Sequence, residues 1–262
     1  MTELVRLETT TEGIAIVTID NPPMNVLSEG VVNQLAEVFT RVSNDPHIIV
    51  AILTGEGKRS FMAGADIKEF PSWLEKEKLE LKKITMKTHR VFHLIDNLPK
   101  PTIAVLNGLA LGGGCELALT CDIRIAEEQI KIGLPEVKLG LFPGGGGTQR
   151  LPRLIGPAKA KELMYIGDPI SAQEAFQLGL VNRVTADGEG MQTALEMAKK
   201  MAGNSLQALS RIKKSINEGI NASLEEGIEI ESKHFIDVFS TEDIKEGVQA
   251  FIEKRRPTFT HR

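Results

Sequence analysis

The sequence predicts an α/β body followed by an all-helical tail, and three features of its patterning carry that expectation. Short β-branched apolar runs alternate with stretches of helical periodicity as far as about residue 190. One of these runs, 48–54, is almost continuously apolar, as strands covered on both faces are. Beyond Gly190 the strand signal stops and four amphipathic stretches follow. Alternating strands and helices predict parallel pairing through right-handed helical crossovers. The chain is therefore read as a core over 1–190 that holds the site, and a helical region over 191–262.

Each element has its own signal. Residues 13–19 form a strand that ends at Asp20-Asn-Pro-Pro23. Ser28 caps a helix whose apolar positions Val31, Leu35, Val38 and Phe39 share one face. Residues 48–54 are the second strand, stopped by Gly55 and Gly57. A charged segment, 73–83, precedes a helix over about 84–98 that ends before Pro99 and Pro101. Residues 102–106 are the third strand, leading to Gly112-Gly-Gly114 and a helix-prone stretch over 115–121. Residues 122–126 and 129–132 read as short strands, and 144–147 as a loop. Helical runs at 158–166 and 172–178 precede a strand-like 180–184. The tail helices fall at 191–202, 207–218, 224–239 and 243–254.

Charge and composition exclude several classes. Thirty-one basic residues against 35 acidic ones, in 262, leave no basic excess for nucleic acid as the main partner. Cys115 and Cys121 lack CxxC spacing and are read as buried free thiols in a reducing compartment. The first dozen residues have neither an apolar signal core nor an Arg-rich transit pattern. No run of about 18 apolar residues marks a membrane span. The expected location is cytoplasmic, with no membrane partner.

Two glycine-containing segments and two carboxylates are the candidates for chemistry. In Ala110-Leu-Gly-Gly-Gly-Cys-Glu116, glycines at a strand-to-helix junction leave backbone N–H groups unpaired at the positive end of a helix. Such a place suits a phosphate, or a carbonyl oxygen that becomes an enolate. Tight packing at a turn is the structural alternative. Neither a dinucleotide fingerprint nor a Walker loop fits, since the required third Gly is Leu117 and no Lys-Ser/Thr pair follows the glycines. Phe61-Met-Ala-Gly-Ala-Asp-Ile-Lys-Glu69 is a second candidate for close backbone approach, with Asp66 placed to start a helix, and a plain loop-to-helix junction would read the same. Glu116 and Glu136 stand out because their neighbours are mostly apolar, which drives carboxyl pKa values apart and suits an acid–base pair. Taken singly, each also fits a buried ion pair. His89 and His93 share helical i, i+4 spacing, but Arg90 stands where a zinc motif needs Glu. They are read as one face of a packed helix, and no metal is expected. No serine-hydrolase elbow is present.

Together these runs resemble the crotonase superfamily, and within it the enoyl-CoA hydratases. The resemblance is carried by Asn21-Pro-Pro-Met-Asn-Val-Leu-Ser28, Leu53-Thr-Gly-Glu-Gly57, Phe61-Met-Ala-Gly-Ala-Asp-Ile-Lys-Glu-Phe70 and Lys100-Pro-Thr-Ile-Ala-Val-Leu-Asn-Gly108. It continues through Ala110–Glu116, Gly133-Leu-Pro-Glu136, Leu139-Gly-Leu-Phe-Pro143, Gly146-Gly-Thr-Gln-Arg-Leu151 and the tail from Thr241 to Arg256. It spans nearly the whole chain.

What the resemblance implies is specific. The fold would be a repeated ββα spiral with a C-terminal helical trimerisation region. The N–H groups of Ala65 and Gly113 match an oxyanion hole for a thioester carbonyl. Glu116 and Glu136 match the two catalytic glutamates of hydratases, whereas many relatives keep one or neither. Ala65, Asp66, Ile67 and Lys68 match a stretch that contacts the CoA part of the substrate. The implied activity is that of a lyase adding water to trans-2-enoyl-CoA in fatty-acid oxidation, with Glu116 activating water for C3 and Glu136 protonating C2. An acyl-CoA thioester is the expected partner, no separate cofactor is needed, and the assembly would be a homotrimer or a hexamer of paired trimers. An enoyl-CoA isomerase and an RNA-binding crotonase homologue are the rival readings. Asn25-Val-Leu-Ser28 and Gly145 depart from the commoner Asn-Ala-Leu and Ala, and the segment 69–90, which shapes the acyl pocket, does not transfer.

Overall fold

The computed structural model describes residues 2–262. The chain opens with an antiparallel hairpin, β1 (Val5–Thr9) and β2 (Ile14–Ile19). Ser28 caps α1 (Glu29–Asn44) by accepting from the Val31 N–H, and β3 (Val50–Gly55) and β4 (Ser60–Met62) follow. A 3₁₀ turn (Ile67–Glu69), α2 (Phe70–Leu74) and α3 (Lys78–Asp96) lead to β5 (Thr102–Leu106) and β6 (Leu109–Leu111). Next come α4 (Gly113–Ala118), β7 (Ile123–Glu127), β8 (Lys131–Gly133) and a second 3₁₀ turn (Glu136–Leu139). Then α5 (Gly147–Ile155), α6 (Pro157–Ile166), β9 (Ile170–Ser171), α7 (Ala172–Gln177) and β10 (Arg183–Thr185) complete the body. The tail is α8 (Gly190–Ala202), α9 (Leu206–Gly219), α10 (Leu224–Val238) and α11 (Glu242–Ile252).

The strands form two sheets, ordered β1-β2-β3-β5-β7-β10 and β4-β6-β8-β9. Three times the chain runs through a strand of the large sheet, a short strand of the small sheet, and then helix: β3–β4, β5–β6 and β7–β8. This is the repeated ββα spiral. Pairing is parallel throughout, except that β1 on β2 and β9 on β8 are antiparallel.

The apolar runs are buried on both faces, and alternation divides them. Ile52, Ile103 and Val105 pack with Ala194 and Ala198 of α8 on one side of the large sheet. Ala51, Leu53, Ala104 and Leu106 face the main core on the other side, with Leu35 and Phe39 of α1 and Phe92 of α3. Phe39, Phe61 and Phe92 are among the largest fully buried side chains.

Several expectations need correction. Helix α3 begins at Lys78, ahead of the expected 84, because the charged stretch Lys78-Leu-Glu-Leu-Lys-Lys83 is itself rich in helix formers. Helix α5 was not expected, since glycines and an interior Pro152 hide its periodicity. The strands β1, β4 and β6 were missed, two of them being only 3 residues long. His93 is exposed and bonds to Asn97 rather than joining a packed helix face. Cys115 and Cys121 are buried free thiols, as read. Among the described residues no helix is long and apolar enough to cross a membrane.

Candidate active site

The site forms where β6, β8 and the loop after β4 meet the first turn of α4. Gly112 joins β6 to α4 at φ 52° and ψ −123°, a conformation that needs glycine. Its N–H bonds to Gly133 O at the end of β8, and its carbonyl accepts the Glu116 N–H, both at 2.9 Å. The same glycine thus ties the small sheet to the helix that carries Glu116. Gly114 packs so closely on β4 that a Cβ there would lie 1.9 Å from Met62 O.

Ala65 and Gly113 come together across this junction. Leu27 pairs with Ala65 as a parallel bridge: Leu27 N–H bonds to Gly64 O at 2.8 Å and Asp66 N–H to Leu27 O at 3.2 Å. In a parallel bridge the central residue's own N–H points away from that partner. A Cβ at Gly113 would sit 3.6 Å from Ala65 N, so the backbones of the two residues lie close together. Gly113 is the first residue of its helix and has no intrahelical acceptor. Two backbone donors with no acceptor among the described residues therefore lie near each other, at the positive end of a short helix. Asn25 supports this arrangement from behind: its Nδ2 donates to Ser60 O and Glu56 O at 2.8 and 3.1 Å, from a left-handed φ of 51°.

Of the other residues expected to contact substrate, Asp66 caps the 3₁₀ turn by accepting from Lys68 N–H at 3.1 Å. Ile67 and Lys68 are exposed beside it. They form a rim on the same loop as Ala65.

The two glutamates lie near each other and sit in unlike surroundings. Glu116 is buried, and its Oε1 accepts N–H groups from Gly145 and Gly147 at 2.7 and 2.8 Å. Burial pushes its pKa up, while the Gly147 and Gly145 N–H groups and the charge of Arg150 oppose that rise. Glu136 opens the 3₁₀ turn after β8. Its Oε1 lies 3.0 Å from where a Gly112 Cβ would stand, beside Gly64. Its Oε2 is buried with no hydrogen-bond partner among the described residues. Burial first, and the nearby Glu116 charge second, push the Glu136 carboxyl up to about 7. Neither glutamate has a salt-bridge partner among the described residues, so the ion-pair alternative does not describe them.

The sequence reading missed the part played by Gly145 and Gly147, which it took for a plain loop. Their signal was the run of four glycines, 144–147, entering a helix. At a helix N-terminus such a run supplies donors. Among the described residues no cluster of metal-ligating side chains occurs.

The chain as a whole has close relatives among known proteins. A family profile described as enoyl-CoA hydratase/isomerase matches residues 9–262. The short-chain-enoyl-CoA hydratase of Clostridium acetobutylicum is 43% identical over 244 residues, covering 93% of this chain and 92% of that protein. The crotonyl-CoA hydratase of Syntrophomonas wolfei is also 43% identical, with 95% of each chain covered. A crystal structure of enoyl-CoA hydratase from Bacillus anthracis superposes with a TM-score of 0.94 at 38% identity, covering 99% of this chain and all of that one. The match runs through both sheets, the site and the tail: the chain belongs to the enoyl-CoA hydratase/isomerase family, on the crotonase fold.

Proposed function

We propose that this protein is an enoyl-CoA hydratase that adds water to trans-2-enoyl-CoA to give 3-hydroxyacyl-CoA. The single observation that carries the reading is the pairing of two unlike carboxyls beside the Ala65 and Gly113 donors. The thioester oxygen would accept both N–H groups, drawing electron density from C3 toward the oxygen as an enolate forms. Glu116, whose anion is favoured by two N–H donors, takes a proton from water as the oxygen bonds to C3. Glu136, pushed up to about 7, keeps a substantial protonated fraction at neutral pH, and in that form delivers its proton to C2 as the enolate collapses. Asp66, Ile67 and Lys68 at the rim are placed to meet the CoA portion. CoA arrives as part of the substrate, and no further cofactor enters this chemistry.

The relatives named for short-chain and crotonyl-CoA hydration support a short acyl substrate. We read the pathway as fatty-acid oxidation and the location as cytoplasmic, where free thiols such as Cys115 and Cys121 persist. The assembly is read as a trimer, or a hexamer of two trimers. Support comes from the tail, where Leu224, Ile228, Phe235, Ile236 and Phe239 on or next to α10 are exposed, a concentration of apolar surface typical of a covered face.

The test is turnover of the purified chain on matched trans-2-enoyl-CoA and 3-enoyl-CoA substrates. Hydration of the 2-enoyl ester should dominate, with the product gaining one water. Preferential conversion of the 3-enoyl ester to the 2-enoyl ester, without hydration, would make it an isomerase instead.

A further inference from the structure

The segment that holds Glu116 is itself held by Arg150. The Arg150 Nη1 approaches Gly145 O at 3.4 Å, and a Cβ at Gly146 would stand only 2.3 Å from the same nitrogen. The guanidinium therefore lies against the Gly145–Gly146 peptide, in space that only glycine leaves open. Gly146 also takes φ 107°, which other residues rarely adopt. The far edge of the guanidinium is fixed on α3: its Nε and Nη2 donate to Asp96 Oδ2 at 3.1 and 2.9 Å. Asp96 O accepts in turn from Asn217 Nδ2 of α9 at 3.3 Å. A run of four glycines has more freedom to lose than other loops, so its ordered form needs contacts from outside.

We propose that Arg150, anchored by Asp96, is a positioning residue for hydration: it clamps the peptide frame that presents the Gly145 and Gly147 N–H groups to Glu116. The inference rests on the reading of Glu116 as the base. Arg150 also acts through its charge, which favours the ionised Glu116 against burial. The other groups around that carboxyl are Glu136 from the 3₁₀ turn, whose charge opposes ionisation, and Cys115 of α4, kept neutral by burial. Phe92 of α3 and Leu134 are the apolar contacts of the same loop. Arg150 touches no reacting atom. It acts on the proton acceptor through the loop and through space.

The experiment compares crotonyl-CoA hydration, its pH profile and thermal stability for Arg150→Gln, Arg150→Lys, Asp96→Asn and the Arg150→Gln/Asp96→Asn double variant, with Glu116→Gln as reference. Arg150→Gln should lower kcat about tenfold or more, with KM within about threefold, and move the acid limb of kcat/KM to higher pH. Arg150→Lys should keep the acid limb in place and recover part of kcat. Asp96→Asn should lower kcat at similar KM, and the double variant should be no worse than Arg150→Gln, because the two act as a unit. An Arg150→Gln enzyme with unchanged kcat and acid limb would overturn the proposal. So would a kcat loss that tracks melting temperature with the limb unmoved, or additive effects in the double variant. If Arg150→Gln does not fold, Asp96→Asn decides through kcat and KM alone. Full hydration by Glu116→Gln would overturn the reading of Glu116 itself. A dead Glu116→Gln beside an unaffected Arg150→Gln removes only the clamp.

Discussion

Glu116 Oε1 is doubly hydrogen-bonded, while Oε2 of the nearby Glu136 is buried with no partner among the described residues. Topology produces the contrast. Glu116 lies inside α4, close under the glycine loop that begins α5, so backbone N–H groups converge on it. Glu136 leaves the end of β8 on a 3₁₀ turn, with its Oε1 beside the Gly112 backbone. Burial raises both carboxyls, but only Glu116 has N–H donors to oppose that rise, and the proposed base and acid roles rest on this contrast.

The pH dependence of kcat/KM should be bell-shaped, with the two glutamates setting opposite limbs. Glu136 must be protonated to donate, so activity falls as pH rises through about 7. Glu116 must be ionised to accept, so activity falls as pH drops through its own raised pKa. Steady-state hydration measured across pH checks this; a rate that climbs steadily through neutral and alkaline pH would contradict the role of Glu136.

Gly114→Ala should destabilise the fold even though the residue has no side chain to lose. The added Cβ would meet Met62 O at 1.9 Å, backbone against backbone, with little freedom to relieve it. Overpacking of this kind costs about 3 kcal/mol, which in a chain of this size lowers Tm by roughly 6–12 °C. Calorimetry reads it directly, and a Tm within about 2 °C of the parent would show that α4 can move away from β4 cheaply.

Lys213 should anchor the tail to the body. It is buried on α9, with Nζ donating to Asp122 Oδ2 at 2.9 Å and to Lys100 O at 3.3 Å, while Asp122 also accepts from Thr102. Lys213→Met leaves Asp122 short of its charge partner, at a cost of about 2 kcal/mol, since the partly solvated Asp122 loses less than a fully buried acid would. The denaturant midpoint should fall with the m-value unchanged. A shift corresponding to less than about 1 kcal/mol would mean that water replaces the lysine without penalty.

Sedimentation of the purified chain should report a trimer or hexamer at micromolar concentration. Phe235→Glu, which places a charge on the apolar face of α10, should shift it toward monomer. A parent protein that is already monomeric would contradict the trimer reading.

Much of this was legible in the sequence, for identifiable reasons. The strand expected at 48–54 was legible because strands buried on both faces lose their alternation, although it starts two residues later, at Val50, and 102–106 is a strand as read. Ser28 was legible as a cap because hydroxyl capping is a local interaction, completed within three residues. Glu116 and Glu136 stood out as acids in apolar surroundings, and the structure brings them to one place. What stayed hidden depends on distant partners. Nothing near Gly147 reveals that its N–H meets Glu116, 31 positions away, and nothing near Arg150 points to Asp96, 54 away. Asn25 looks like an ordinary turn residue until Ser60 O appears as its acceptor. The short strands β4 and β6 exist only because the spiral aligns them in the small sheet.

The most direct test of the acid–base pair is crotonyl-CoA hydration by Glu116→Gln and Glu136→Gln, measured beside binding of a saturated acyl-CoA. Each variant should lose at least about a hundredfold in kcat, roughly 2.7 kcal/mol of transition-state stabilisation. Acyl-CoA affinity should stay close to that of the parent, since the Ala65 and Gly113 donors are intact. Near-parental hydration in either variant would contradict the assignment of these two glutamates as acid and base.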